Sequence, residues 1–103
     1  MKISVITSYT NPEERCDPWK EALNCYESFA DEIINVGQNW DYEFSWTYFN
    51  EIFQNGLEEA TGDWVFRMDV DYFFHENDIE KIKNVLSENK QAKGIIFPQR
   101  QFY

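Results

Sequence analysis

Asp69 and Asp71 stand two residues apart at the end of the short apolar run Trp64–Met68. In an extended strand, residues at i and i+2 project from one face, so these carboxylates point together if the strand persists. At about 6 Å and an effective dielectric of about 20, two such charges repel by roughly 3 kcal/mol. A chain that sets them there either leaves a proton on one or supplies a cation. One or two carboxylates beside phosphate oxygens are a usual seat for a hard divalent cation. A D-x-D pair is a weak signal in an acidic chain, and its weight comes from its place at a strand end. An EF-hand reading puts Asp69 at loop position 1, Asp71 at 3 and Glu80 at 12, but Phe73 and Phe74 then occupy the places of a ligand and the turn glycine. The calcium-loop reading fails.

The elements that must position these acids follow from periodicity. Lys2–Thr7 reads as a buried strand, opening into the polar turn Ser8–Pro12. Asp17 as N-cap and Pro18 at the first helical position start a helix ending near Ala30, with Trp19, Ala22, Leu23, Tyr26, Phe29 and Ala30 as its apolar stripe. Glu32–Gly37 reads as a second strand stopped by glycine, and Gln38–Phe44 as a loop. A second helix starts near Ser45, carries Trp46, Phe49, Phe53, Leu57 and Ala60 inward, and closes at Gly62 as a C-terminal cap. Gly56 costs that helix about 1 kcal/mol relative to alanine, which predicts close packing against a neighbour. Asn77 and Glu80 have capping-box spacing for a third helix with Ile79, Ile82, Val85 and Leu86 inward, and Gly94–Pro98 reads as a fourth strand.

This alternation predicts an α/β fold, with three helices on a mostly parallel, doubly wound, four-stranded sheet. Ligands in such sheets sit outside the carboxyl ends of the strands. Thr7–Tyr9, Val36–Gln38 and Asp69/Asp71 all fall there.

With 103 residues, 43% of them hydrophobic and 18% aromatic, the chain is one folded domain and not a disordered segment. Its net charge of -10 argues against a nucleic-acid backbone or an anionic membrane as partner. Lys, Arg and His are absent between Lys20 and Arg67, so a phosphate bound near that segment relies on backbone amides and a metal. Cys16 and Cys25 form no metal or disulfide pattern and read as reduced thiols. The N-terminus turns polar by Thr7, and no apolar run is long enough to span a membrane. A cytoplasmic location is the expectation.

Other candidates are less specific. His75, the only histidine, is a metal ligand, a proton carrier or, more commonly beside a helix start, a capping residue. Tyr72, Phe73 and Phe74 either wall a pocket or pack their loop on the core. Trp46 reads as core, while Trp40 and Tyr42, in a loop shared with Phe44, could stack a base or a sugar. No P-loop, GxGxxG or nucleophile-elbow motif is present.

The order of motifs resembles the N-terminal, nucleotide-binding half of a family 2 glycosyltransferase with the Rossmann-like GT-A fold. Ile3–Tyr9 is similar to the family's opening strand and turn, and Asp31–Ile34 to its second strand. The most specific part is Asn55–Asp71, with its Ala60-Thr61-Gly62 turn and D-x-D strand, and Asp78–Ile82 continues it. The resemblance implies a nucleotide-sugar donor held through Mg or Mn, and a hydroxyl acceptor. Asp71 would ligate the metal, and Asp69 would contact the ribose or, through water, the metal. Thr7 and Tyr9 would lie near the base. Gly37, also implied at the nucleotide, stands with Gln38 where the family's second strand ends in an acidic residue that reads the base; Asp41 in the loop could take that acid's place. The family's acceptor half, with its general base, would follow the fourth strand. The 103 residues thus read as a single, truncated nucleotide-sugar-binding domain. The alternative is a non-catalytic module of the same fold.

Overall fold

The structure, a computed structural model, describes residues 1–8, 13, 16, 18–37 and 45–100. Among them, β1 (Ile3–Ser8), α1 (Trp19–Glu27), β2 (Glu32–Asn35), α2 (Trp46–Glu59), β3 (Trp64–Asp69) and α3 (Ile79–Glu88) follow in order. A 3₁₀ turn, Glu76–Asp78, leads into α3.

The sheet is parallel with β1 in the middle, in the order β2-β1-β3. Thr7 stands level with Asn35 on one side and Met68 on the other, and Ser8 is level with Asp69. All three strands therefore end along one edge. Ile3, Val5 and Thr7 alternate in direction with Ser4, Ile6 and Ser8, and both sets of β1 are covered, as a strand buried on two faces requires. Ile3 and Val5 meet Ala22, Tyr26 and Phe29 of α1 and its end, Val70, and Leu86 of α3. Each large apolar side chain so buried contributes roughly 1.5–3 kcal/mol over an exposed one.

On the other face lies α2, and Gly56 permits its approach. A Cβ there would stand 2.6 Å from Val36 Cγ1 and 3.0 Å from Ile6 Cγ2. The close packing expected at this glycine is present. The expected inner stripe of α2 is not. Ile52 and Gly56 are the buried residues, Phe49 and Phe53 are half-buried, and Trp46 and Leu57 are 70% and 50% exposed. Pressing the backbone down at Gly56 turns the 52/56 line to the sheet and rotates Trp46 outward, so Trp46 is not core.

Several boundaries also differ. Pro18 is the N-cap of α1, its carbonyl accepting from the Ala22 amide at 3.0 Å; the expected cap Asp17 lies outside the described residues. Ser45 caps α2 as expected, accepting from the Tyr48 amide at 3.4 Å, but the helix ends on extended Ala60 and Gly62 is not its cap. The Asn77/Glu80 capping box does not form: α3 starts after Asp78 with no side-chain cap, and His75 caps the preceding 3₁₀ turn, its Nδ1 accepting from the Asn77 amide at 3.1 Å. β2 stops at Asn35, ahead of Gly37.

Residues 94–98 form no strand. Ile95 and Phe97 pack on the core, Phe97 stacking on Phe66 at 6.1 Å, while Ile96 is 97% exposed. The side chains alternate as in a strand, but no ladder joins them to β3, and Pro98 has no amide to give.

Candidate functional site

The edge where the strands end gathers most of the expected residues. The Val36 amide donates to the Thr7 carbonyl at 3.0 Å, carrying β2 past its last ladder pair. Gly37 is buried beside Ser8, so close that a Cβ would stand 2.3 Å from Ser8 Oγ and 3.2 Å from Ile52 Cδ1. An acidic side chain has no room at position 37 unless the Ser8 hydroxyl swings away. Thr7 is fully buried, and its Oγ1 has no hydrogen-bond partner among the described residues; the same holds for Nδ2 of half-buried Asn35, level with it on β2. Such orphaned groups are rare and costly. Tyr9, Asp41, Trp40, Tyr42 and Phe44 lie outside the described residues.

β3 ends at Asp69, so the strand does not persist to Asp71 and the shared-face argument stops there. The chain turns at once, the Tyr72 amide donating to the Asp69 carbonyl at 2.9 Å. Val70, 6% exposed, plugs into the core, and Asp71 is exposed at the turn. After it Phe74 stacks on Phe29 at 4.2 Å and meets Phe66 edge-on at 5.6 Å, so it is packing and not pocket wall; Tyr72 and Phe73 remain exposed.

Sequence patterns did not single out what holds this turn. Tyr26, wholly buried on α1, brings its hydroxyl 2.5 Å from the Asp69 carbonyl and 2.8 Å from that of Tyr72. Cys25 beside it accepts from the Phe74 amide at 3.3 Å and donates to the Phe74 carbonyl at 3.4 Å. Burial first, and then the neighbouring ionisable groups of Cys25, Asp69 and Asp71, push the Tyr26 hydroxyl far above its ordinary pKa and keep it protonated. The stripe predicted Tyr26 inside, but nothing in the sequence marked what its oxygen would meet.

Asp69 and Asp71 offer hard oxygen donors, suited to Mg or Mn. No cluster of three or more His, Cys, Asp or Glu suited to a metal occurs among the described residues. A divalent ion here would take further ligands from phosphate and water, the usual habit of Mg. The donor set fits a phosphate-bearing ligand with a metal. His75 is engaged as a cap.

Arg67 lies on the face of β3 toward α2, its guanidinium 4.4 Å from the Phe53 ring centre and 5.3 Å from that of Phe49. A hollow of about 360 Å³, lined by Met1, Asp63, Trp64 and Lys90, opens at the start of β3, away from the acids. Both cysteines are free thiols, and no helix among the described residues is long and apolar enough to cross a membrane.

Residues 52–101 match the family described as Glycosyl transferase family 2. The resemblance read from the sequence holds over that stretch, which contains Asn55–Asp71 and the acidic turn; its Ile3–Tyr9 and Asp31–Ile34 parts fall outside the match. No curated protein and no solved structure matches the chain.

Proposed function

We propose that this chain is the donor-binding part of a metal-dependent glycosyltransferase of the family 2 type. A nucleotide-sugar would lie along the carboxyl edge of the sheet, with Asp71, assisted by Asp69, holding Mg or Mn against its phosphates. Thr7, Tyr9 and Gly37 would lie near the nucleoside. The observation that carries the reading is the acidic turn at the end of β3, inside the stretch that matches the family and one strand away from Ser8. When bound, the metal supplies Lewis-acid stabilisation of the departing nucleoside diphosphate. The chain's own part is to bind and orient the donor. No general base for the acceptor hydroxyl is assigned within these residues.

A binding module without transfer chemistry is the second reading, and Arg67 favours it. The first basic residue after Lys20 is stacked on Phe53 and Phe49.

Calorimetric titration of a nucleotide-sugar panel in the presence of Mn²⁺ tests the donor site. Saturable heat with at least one nucleotide is expected. Silence across the panel, with the protein shown folded by circular dichroism, sinks the donor-site reading.

A further inference from the structure

We propose that Tyr26 is a positioning residue: its hydroxyl, seconded by the Cys25 thiol, fixes the backbone of residues 69–74 and thereby sets where Asp69 and Asp71 stand for a divalent cation. The inference rests on the donor-site reading above.

Packing alone does not call for a tyrosine here. The ring of Tyr26 fills the core between α1 and the sheet, and phenylalanine would fill nearly the same space. A fully buried hydroxyl is unfavourable unless it is hydrogen-bonded. This one sits between two carbonyls, those of Asp69 and Tyr72, at 2.5 and 2.8 Å. Those carbonyls belong to the first and last residues of the turn that carries Asp71, and the Tyr72 amide already ties its ends together at 2.9 Å. A hydroxyl has one proton, so that proton is shared between the two carbonyls or alternates from one to the other.

Cys25 repeats the device further along the loop. Its sulfur accepts from the Phe74 amide and gives its proton to the Phe74 carbonyl, while the Phe74 ring stacks on Phe29. Neighbouring residues of α1 thus grip the segment at Asp69, Tyr72 and Phe74. Val70 is buried, and the exposed side chain of Asp71 takes its place from this backbone. A metal held by so few protein ligands depends on how well they are preorganised.

The test compares the full chain with Tyr26→Phe, with Cys25→Ala, and with Ile3→Val as a control at the far end of the sheet. Amide hydrogen exchange is followed at residues 70–74. Affinity for MnCl₂, alone and with inorganic pyrophosphate, is measured well below each protein's melting temperature. Tyr26→Phe is expected to speed exchange at the turn and weaken Mn²⁺ binding about tenfold, the effect of losing about one hydrogen bond. Cys25→Ala should act in the same direction, and it carries the test if Tyr26→Phe does not fold. Ile3→Val should lose stability and keep its affinity. Unchanged Mn²⁺ affinity in Tyr26→Phe, or equal weakening in Ile3→Val, overturns the proposal. If the wild-type chain takes up no Mn²⁺ under either condition, the donor-site reading itself has failed and the positioning role falls with it.

Discussion

The Gly62 amide donates to the Ser4 hydroxyl at 2.9 Å, and that hydroxyl donates to Glu32 at 2.5 Å. The Glu32 carboxylate also accepts from the Thr61 amide at 2.9 Å, and the Lys2 ammonium reaches the Thr61 hydroxyl. Beside them, Asp31 accepts from the Ile3 amide at 2.8 Å and Asp63 from the Lys2 amide at 2.7 Å. The Ala60-Thr61-Gly62-Asp63 segment, prominent in the resemblance, therefore works at the amino edge of the sheet, opposite the acidic turn. There it ties the three strands together where each begins.

This placement ranks two glycine substitutions. A Cβ at Gly62 would stand 2.7 Å from the Ser4 amide nitrogen and 2.9 Å from the Trp64 carbonyl, backbone atoms that cannot step aside. At Gly56 the atoms met are the side-chain methyls of Val36 and Ile6, which can repack. Gly62→Ala should cost about 3 kcal/mol or more, and Gly56→Ala about 1–2 kcal/mol after the gain in helix propensity. Urea unfolding midpoints check the order; equal losses would contradict it.

Acid sensitivity should trace to Glu32. The Ser4 hydroxyl first, and then the Thr61 amide, hold its carboxyl below the ordinary value of 4.5. A lowered folded pKa means that the unfolded chain binds the proton more readily. The stabilisation is therefore complete above 4.5 and is lost as pH falls below it through the depressed folded value. Glu32→Gln should be less stable than wild type at neutral pH, with the difference shrinking on acidification. Urea midpoints from pH 7 down to pH 3 measure this, and a difference that grows in acid would refute it.

Metal should protect the chain against heat through Asp71. Mn²⁺ at about 100 times its dissociation constant adds roughly 2.7 kcal/mol to a protein that binds it only when folded. Asp71→Ala removes an exposed side chain from a turn, so its own melting temperature should change little. Differential scanning fluorimetry should show a Mn²⁺-dependent rise for wild type and none for the variant. An equal rise in both would move the metal elsewhere.

Position 37 should be coupled to Ser8. Gly37→Ala places its Cβ on Ser8 Oγ and should cost about 1 kcal/mol; in a Ser8→Ala background most of that cost should vanish. A double-mutant cycle reads the coupling, and additive losses would mean that the serine is not the obstacle.

Much of this architecture is already decided by local pattern. The β-branched Ile3, Val5 and Ile6, the stripe of α1, the cap Ser45 and the inward Ile79, Ile82 and Leu86 follow from periodicity and short-range chemistry, which act over a few residues. The order of these elements also places Thr7, Gly37 and Asp69 at one edge, because parallel strands joined by helices end on the same side.

What the fold alone decided is which competing local choice prevails. Trp46 follows helical spacing as faithfully as Ile52, and only the seating of Gly56 on Val36 and Ile6 turns one outward and the other in. Gly62 is as good a helix stop on paper as it is a point of close approach to Ser4. Gly94–Pro98 has a strand's alternation without the ladder. The grip of Tyr26 and Cys25 on residues 69–74 spans more than forty positions of sequence. Periodicity specifies which way a side chain faces, whereas the partner of a buried hydroxyl is set by where distant backbone carbonyls come to rest.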